Sequence, residues 1–151
     1  MKIKILNLPL LLSKEEIYPF LNLGPGSDSL PANIDKLIDS HLRSITQLAK
    51  PQGIIRVCSV SEITPDQVVL DGASLVIAGP RAAAHFITCE KVTLLAATLG
   101  SRIDEHLAEL QQKASAADAF IFNGIASAAV EHTTDILDDI AVRDIRRSSY
   151  Y

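Results

Sequence analysis

The spacing of apolar positions changes repeatedly along this chain of 151 residues, and each change marks an element. Lys2-Ile3-Lys4-Ile5 alternates polar and apolar side chains, the period of a half-buried strand. Ser13 followed three residues later by Glu16 has capping-box spacing and predicts a short helix that ends at or just beyond Pro19. "LNLGPGSDSLP", from Leu21 to Pro31, gathers glycine, proline, serine and aspartate and predicts a loop. From Pro31 to Pro51 the period is helical, with Ile34, Leu37, Ile38, Leu42, Ile45 and Leu48 on one stripe.

"GIIRVCSVSEITPDQVVLDGASLVI" has β-branched runs interrupted by Thr64-Pro65-Asp66 and by Asp71-Gly72. Two or three short antiparallel strands are expected there, and Asp-Gly favours a two-residue hairpin turn. After Gly79-Pro80, "RAAAHFI" predicts a brief helix, and the apolar run from Val92 to Ala97 predicts a central, buried strand. Thr98-Leu99-Gly100 then leads into a helix with Ile103, Leu107 and Leu110 on one face.

A second helix starts near Ser115, with Asp118 as a capping partner, and extends to about Arg146. Its stretch "AFIFNGIASAAV" is apolar on nearly every side, which predicts burial by several neighbours. Ala117, Gly124 and Ala128 are small enough to admit another backbone. The order of elements predicts an α+β fold, helices packed on a mostly antiparallel sheet, in a single domain over 1–151.

Composition narrows the partners. The chain is 48% hydrophobic and 21% charged, with a formal net charge of -4. It therefore has no basic field for nucleic acid or anionic lipid. No apolar run reaches the roughly 20 residues of a membrane span, and the amino terminus lacks a signal-peptide pattern, so a cytoplasmic protein is expected. Cys58 and Cys89 are too few for a disulfide framework or a Cys-x-x-Cys site and predict reduced thiols. Cys89, just before the apolar strand, is expected to be buried and inert.

Enzyme motifs are sparse: no Gly-x-Gly-x-x-Gly, Walker loop or His-Glu-x-x-His occurs. His41, His85, His106 and His132 stand singly, without metal-ligand spacing, and are expected on surfaces or helix faces. At "ATLGSR" the amides of a helix start are a candidate anion site. The competing reading is that Gly100 only permits a tight turn. Glu131 interrupts an apolar face and needs a donor if it is buried.

"CEKVTLLAATLGSRIDEHL", followed by "DAFIFNGIASAAVEHTTDILDDIAV", resembles the activation-domain family of cobalamin-dependent methionine synthase, particularly its stand-alone relatives. The resemblance is densest over about residues 51–147. In that family a Thr-Leu-Gly turn follows a core strand, and a long helix with small residues and a glutamate comes next. These features fall here on Thr98-Leu99-Gly100 and on Asp118, Ala126 to Ala129 and Glu131.

The resemblance implies a partner that is a corrinoid protein or cobalamin-dependent methyltransferase, with S-adenosylmethionine as the family's methyl donor. The family's donor contacts lie in a segment ending in Gly-Tyr, a dipeptide that this sequence does not contain. The expectation is therefore an accessory or reactivation module with no catalytic or metal-ligating residues of its own. Its ligand or partner surface is expected at Thr98, Gly100, Ser101 and Glu131, and a homodimer is plausible on this reading. The alternatives are a methyltransferase component whose S-adenosylmethionine site a partner chain completes, and a structural subunit.

Overall fold

The computed structural model describes residues 3–24, 30–72, 74–113 and 115–147. It is an α+β structure with one five-stranded sheet. The strands are β1 (Ile3–Asn7), β2 (Gln52–Thr64), β3 (Gln67–Leu70), β4 (Leu75–Ala78) and β5 (Lys91–Thr98). The helices are α1 (Lys14–Ile17), α2 (Ala32–Leu48), α3 (Pro80–His85), α4 (Ser101–Lys113) and α5 (Ala116–Arg147), with a 3-10 turn at Tyr18–Leu21 after α1. Residues 25–29 of the predicted loop between α1 and α2 lie outside the described residues.

The chain divides into two compact units, Met1–Ile5 with Ile54–Ala96, and Leu6–Gly53 with Ala97–Tyr151. In the first, Cys58, Val68, Leu70, Ala83 and Val92 form the core. β2 pairs antiparallel with β3, Thr64 opposite Gln67, so the two-residue hairpin turn falls at Pro65-Asp66. Asp71-Gly72 lies instead in a longer connection, because Leu70 faces Leu75 across β3 and β4. Both residues do take the positive φ that makes this dipeptide a turn former, 47° and 65°.

Asp71 closes the connection with its carboxylate, which accepts from the Ser59 N–H (2.8 Å) and from Arg56 Nη2 (2.8 Å). The Ser59 amide and then the Arg56 guanidinium hold that carboxyl below its ordinary range. The segment forms three antiparallel strands, within the two or three expected, although β2, at 13 residues, is not short. One strand expectation changes: β2, and not β5, is the strand on which the others converge, pairing with β1, β3 and β5. β5 buries only Val92 fully, and Cys89 is half-buried. In β1, Ile5 is exposed.

The second unit is helical around α5. Ile17, Leu21, Ile38, Ile45, Leu99, Ile103, Ile121, Phe122, Ile125, Ala128 and Ala129 form its core. Fully burying each large side chain contributes about 1.5–3 kcal/mol. The predicted capping box is present: Ser13 Oγ accepts from the Glu16 N–H, and Glu16 Oε2 accepts from the Ser13 N–H (2.8 Å). Lys14 Nζ reaches Asp35 (2.7 Å) and Asp39 (2.8 Å) on α2, and these carboxylates raise its pKa.

α5 is less enclosed than its composition predicts. Ile121, Phe122, Gly124, Ile125, Ala128 and Ala129 are buried, but Phe120 and Val130 are exposed. Gly124 provides the expected close approach: a Cβ there would stand 3.1 Å from the Phe20 carbonyl oxygen and 2.5 Å from Leu21 Cδ2. Ala128 is also buried, whereas Ala117 is exposed.

Candidate functional site

The turn that leaves β5 is built from three constraints. Leu99 is buried beside Ile103, and its carbonyl accepts from the Lys50 N–H at 2.8 Å. Gly100 takes φ +87°, where a side chain is strained. Its N–H donates to Thr98 Oγ1 at 3.1 Å. α4 then starts at Ser101 and carries Asp104 in its first turn.

An open cleft of about 290 Å³ lies against this turn. Thr98, Leu99, Gly100, Ile103 and Asp104 line one side; Asn123, Ala126, Ser127 and Val130 of α5 line the other. The four α5 positions recur at i, i+3, i+4 and i+7 and so share one stripe. Among the described residues bordering the cleft, Asp104 carries the one charge. Its carboxylate already complements the start of α4 and opposes the approach of an anion. The remaining polar groups are neutral: two hydroxyls and a carboxamide.

Thr98 and Gly100 therefore meet in one cleft. Ser101 is exposed beside it and does not line it. Glu131 lies elsewhere, in a cavity of about 180 Å³ bordered by Glu16, Phe20, Ala128, His132 and Asp135. On a helical wheel that stripe of α5 is turned roughly 140° from the cleft stripe. Glu131 is exposed, so it has no need of a buried donor. In the same cavity His132 Nδ1 lies 2.8 Å from Glu16 Oε1. The Ser13 backbone N–H, then the Ser13 hydroxyl and His132, hold the Glu16 carboxyl below its ordinary range.

Asp104 was not singled out from the sequence, and neither were the two polar α5 residues of the cleft, Asn123 and Ser127. Their signal was two polar residues spaced i, i+4 within an apolar stretch, which marks a helix stripe facing water or a ligand. His41, expected on a surface or a helix face, lies on the buried face of α2, 6% exposed and edge-on to Phe122. Its Nε2 is 3.0 Å from Asp118 Oδ1, and Ser115 Oγ donates to Asp118 Oδ2. The serine meets the carboxylate and not the imidazole, so the trio caps α5 and clamps α2 rather than activating a nucleophile. Asp118 is held below its ordinary range by Ser115 and then His41.

Burial pushes the Cys58 thiol up and keeps it protonated. Among the described residues no group of three His, Cys, Asp or Glu side chains could hold a metal ion. No described helix is long and apolar enough to cross a membrane. No family model and no curated protein matches the sequence.

Proposed function

We propose that the protein is an accessory module for a cobalamin-dependent methyltransferase, engaging the corrinoid protein through the cleft between the Thr98-Leu99-Gly100 turn and α5. One observation carries the reading. The two segments that bear the methionine synthase activation-domain resemblance are separated in sequence, yet they supply the two sides of the same cleft. Its chemistry supports a neutral partner. Hydroxyls, a carboxamide and one carboxylate match the amide-rich periphery of a corrinoid better than a phosphate or carboxylate ligand. The cleft pairs no nucleophile with a base, which favours binding over catalysis.

The test is retention of a cobalamin-loaded methionine synthase fragment on the immobilised protein, followed by visible absorbance. Ser127→Glu places a charged side chain in the cleft from an exposed helical position whose hydroxyl donates to the Asn123 carbonyl. Retention should fall at least tenfold in Ser127→Glu and remain unchanged in Ser101→Glu, which lies outside the lining. Absence of retention by the unaltered protein, or equal retention by Ser127→Glu, overturns the reading.

A further inference from the structure

The open side of β4 supplies an interaction surface independent of the cleft. β4 ends the strand order β1-β2-β3-β4, and among the described residues it pairs with β3 alone. The phase of its ladder is fixed. Gly79 N–H donates to the Asp66 carbonyl at 2.7 Å, and Ile77 and Leu75 follow opposite Val68 and Leu70. In an antiparallel ladder this alternation turns the N–H and C=O groups of Val76 and Ala78 away from β3. Leu-Val-Ile-Ala at this edge is short, but within its four residues it carries no lysine, no proline and no inward charge to blunt it. Leu75 is 36% and Val76 46% exposed.

We propose that this edge is the interface of a homodimer in which β4 of two copies pair antiparallel about a two-fold axis at Ile77. Val76 of each copy then stands opposite Ala78 of the other, and the outward N–H and C=O groups of both residues exchange hydrogen bonds. The occupant follows from the charge pattern. About a two-fold axis, any charge on the edge stands opposite or diagonal to its own copy, where like charges destabilise. From Ser74 to Gly79 the chain has no charged residue. An edge meant for a different strand would have no such need of neutrality, and charges would help it select that partner. The pairing segment is short, so the contact belongs to the weak class below about 1,200 Å², and assembly should depend on concentration.

Sedimentation velocity tests the proposal at about 5 μM and about 500 μM protein, a range that brackets weak association. The unaltered chain should shift from monomer towards dimer across that range. Val76→Pro removes an N–H that points off the sheet and is the kind of proline edge strands accept. It should remain monomeric at both concentrations with an unchanged circular dichroism spectrum. Val76→Lys adds a like charge near the axis and should behave the same way, and it decides the matter if Val76→Pro loses its native spectrum. A monomer throughout for the unaltered chain, or a dimer that persists in a natively folded variant, overturns the proposal.

Discussion

Gly53→Ala should destabilise the protein although it adds only a methyl group. Gly53 is buried on β2, and a Cβ built there would overlap both methyl groups of Leu137 and stand 2.6 Å from its Cγ. Leu137 is fully buried on α5, so its branch point as well as its tips must move. Overpacking of this kind costs about 1–3 kcal/mol. The lower entropy of the unfolded alanine chain offsets about 0.4–1 kcal/mol of it. A net loss of about 1–2 kcal/mol is expected, a fall of roughly 2–8 °C in melting temperature at this chain length.

Leu137→Ala alone should cost about 2–5 kcal/mol by opening a cavity. In the double variant the methyl group added to β2 enters that cavity, and the loss should fall short of the sum by about 1 kcal/mol or more. Urea unfolding followed at 222 nm measures all three variants. A Gly53→Ala protein as stable as the parent, or a double variant additive within about 0.5 kcal/mol, would refute the reasoning.

Three further outcomes are expected. Glu16 has a lowered folded pKa, so its contribution is present above the unfolded carboxyl pKa and is lost as pH falls through the folded value; Glu16→Gln should be less stable at pH 7 and converge with the parent as pH falls through that folded value, and parallel stability curves would reject the assignment. Asp118→Ala removes the partner of buried His41 and of Ser115 and should cost about 1–3 kcal/mol; an unchanged urea midpoint would deny the clamp. S-adenosylmethionine has no cation in the cleft to receive its carboxylate and meets Asp104 instead, so calorimetry should find binding no tighter than about 1 mM, and a low-micromolar constant would favour a methyltransferase component.

Elements whose signals are local were legible in the sequence. Ser13 and Glu16 name a helix start because a capping box needs only four residues, and Pro31 and Pro51 bracket α2 because proline cannot continue a helix. The Thr98-Leu99-Gly100 turn was legible for the same reason. Strand centrality was not. Val92 to Ala97 is the more continuous apolar run, yet β2 with its polar interruptions is where three strands pair, because pairing depends on which backbone neighbours arrive. Glu131 was misplaced because one helix presents two stripes, and only tertiary packing decides which cavity each one borders. His41 reads as polar and is buried because Asp118, 77 residues away, satisfies its imidazole.

The second unit is assembled from two segments, Leu6–Gly53 and Ala97–Tyr151, that flank Ile54–Ala96 in the sequence, and this order matters when the chain leaves a ribosome. α2 emerges early with Ile38 and Ile45 facing outward, but the α5 residues that cover them have not been made. His41 waits 77 residues for Asp118, roughly 4–15 s at ordinary elongation rates. During that interval residues 54–96 can complete their hairpins and α3 from neighbouring sequence, while α2 is an apolar stripe open to holdase chaperones. Slowing translation between residues 49 and 116 should therefore lengthen chaperone occupancy on α2.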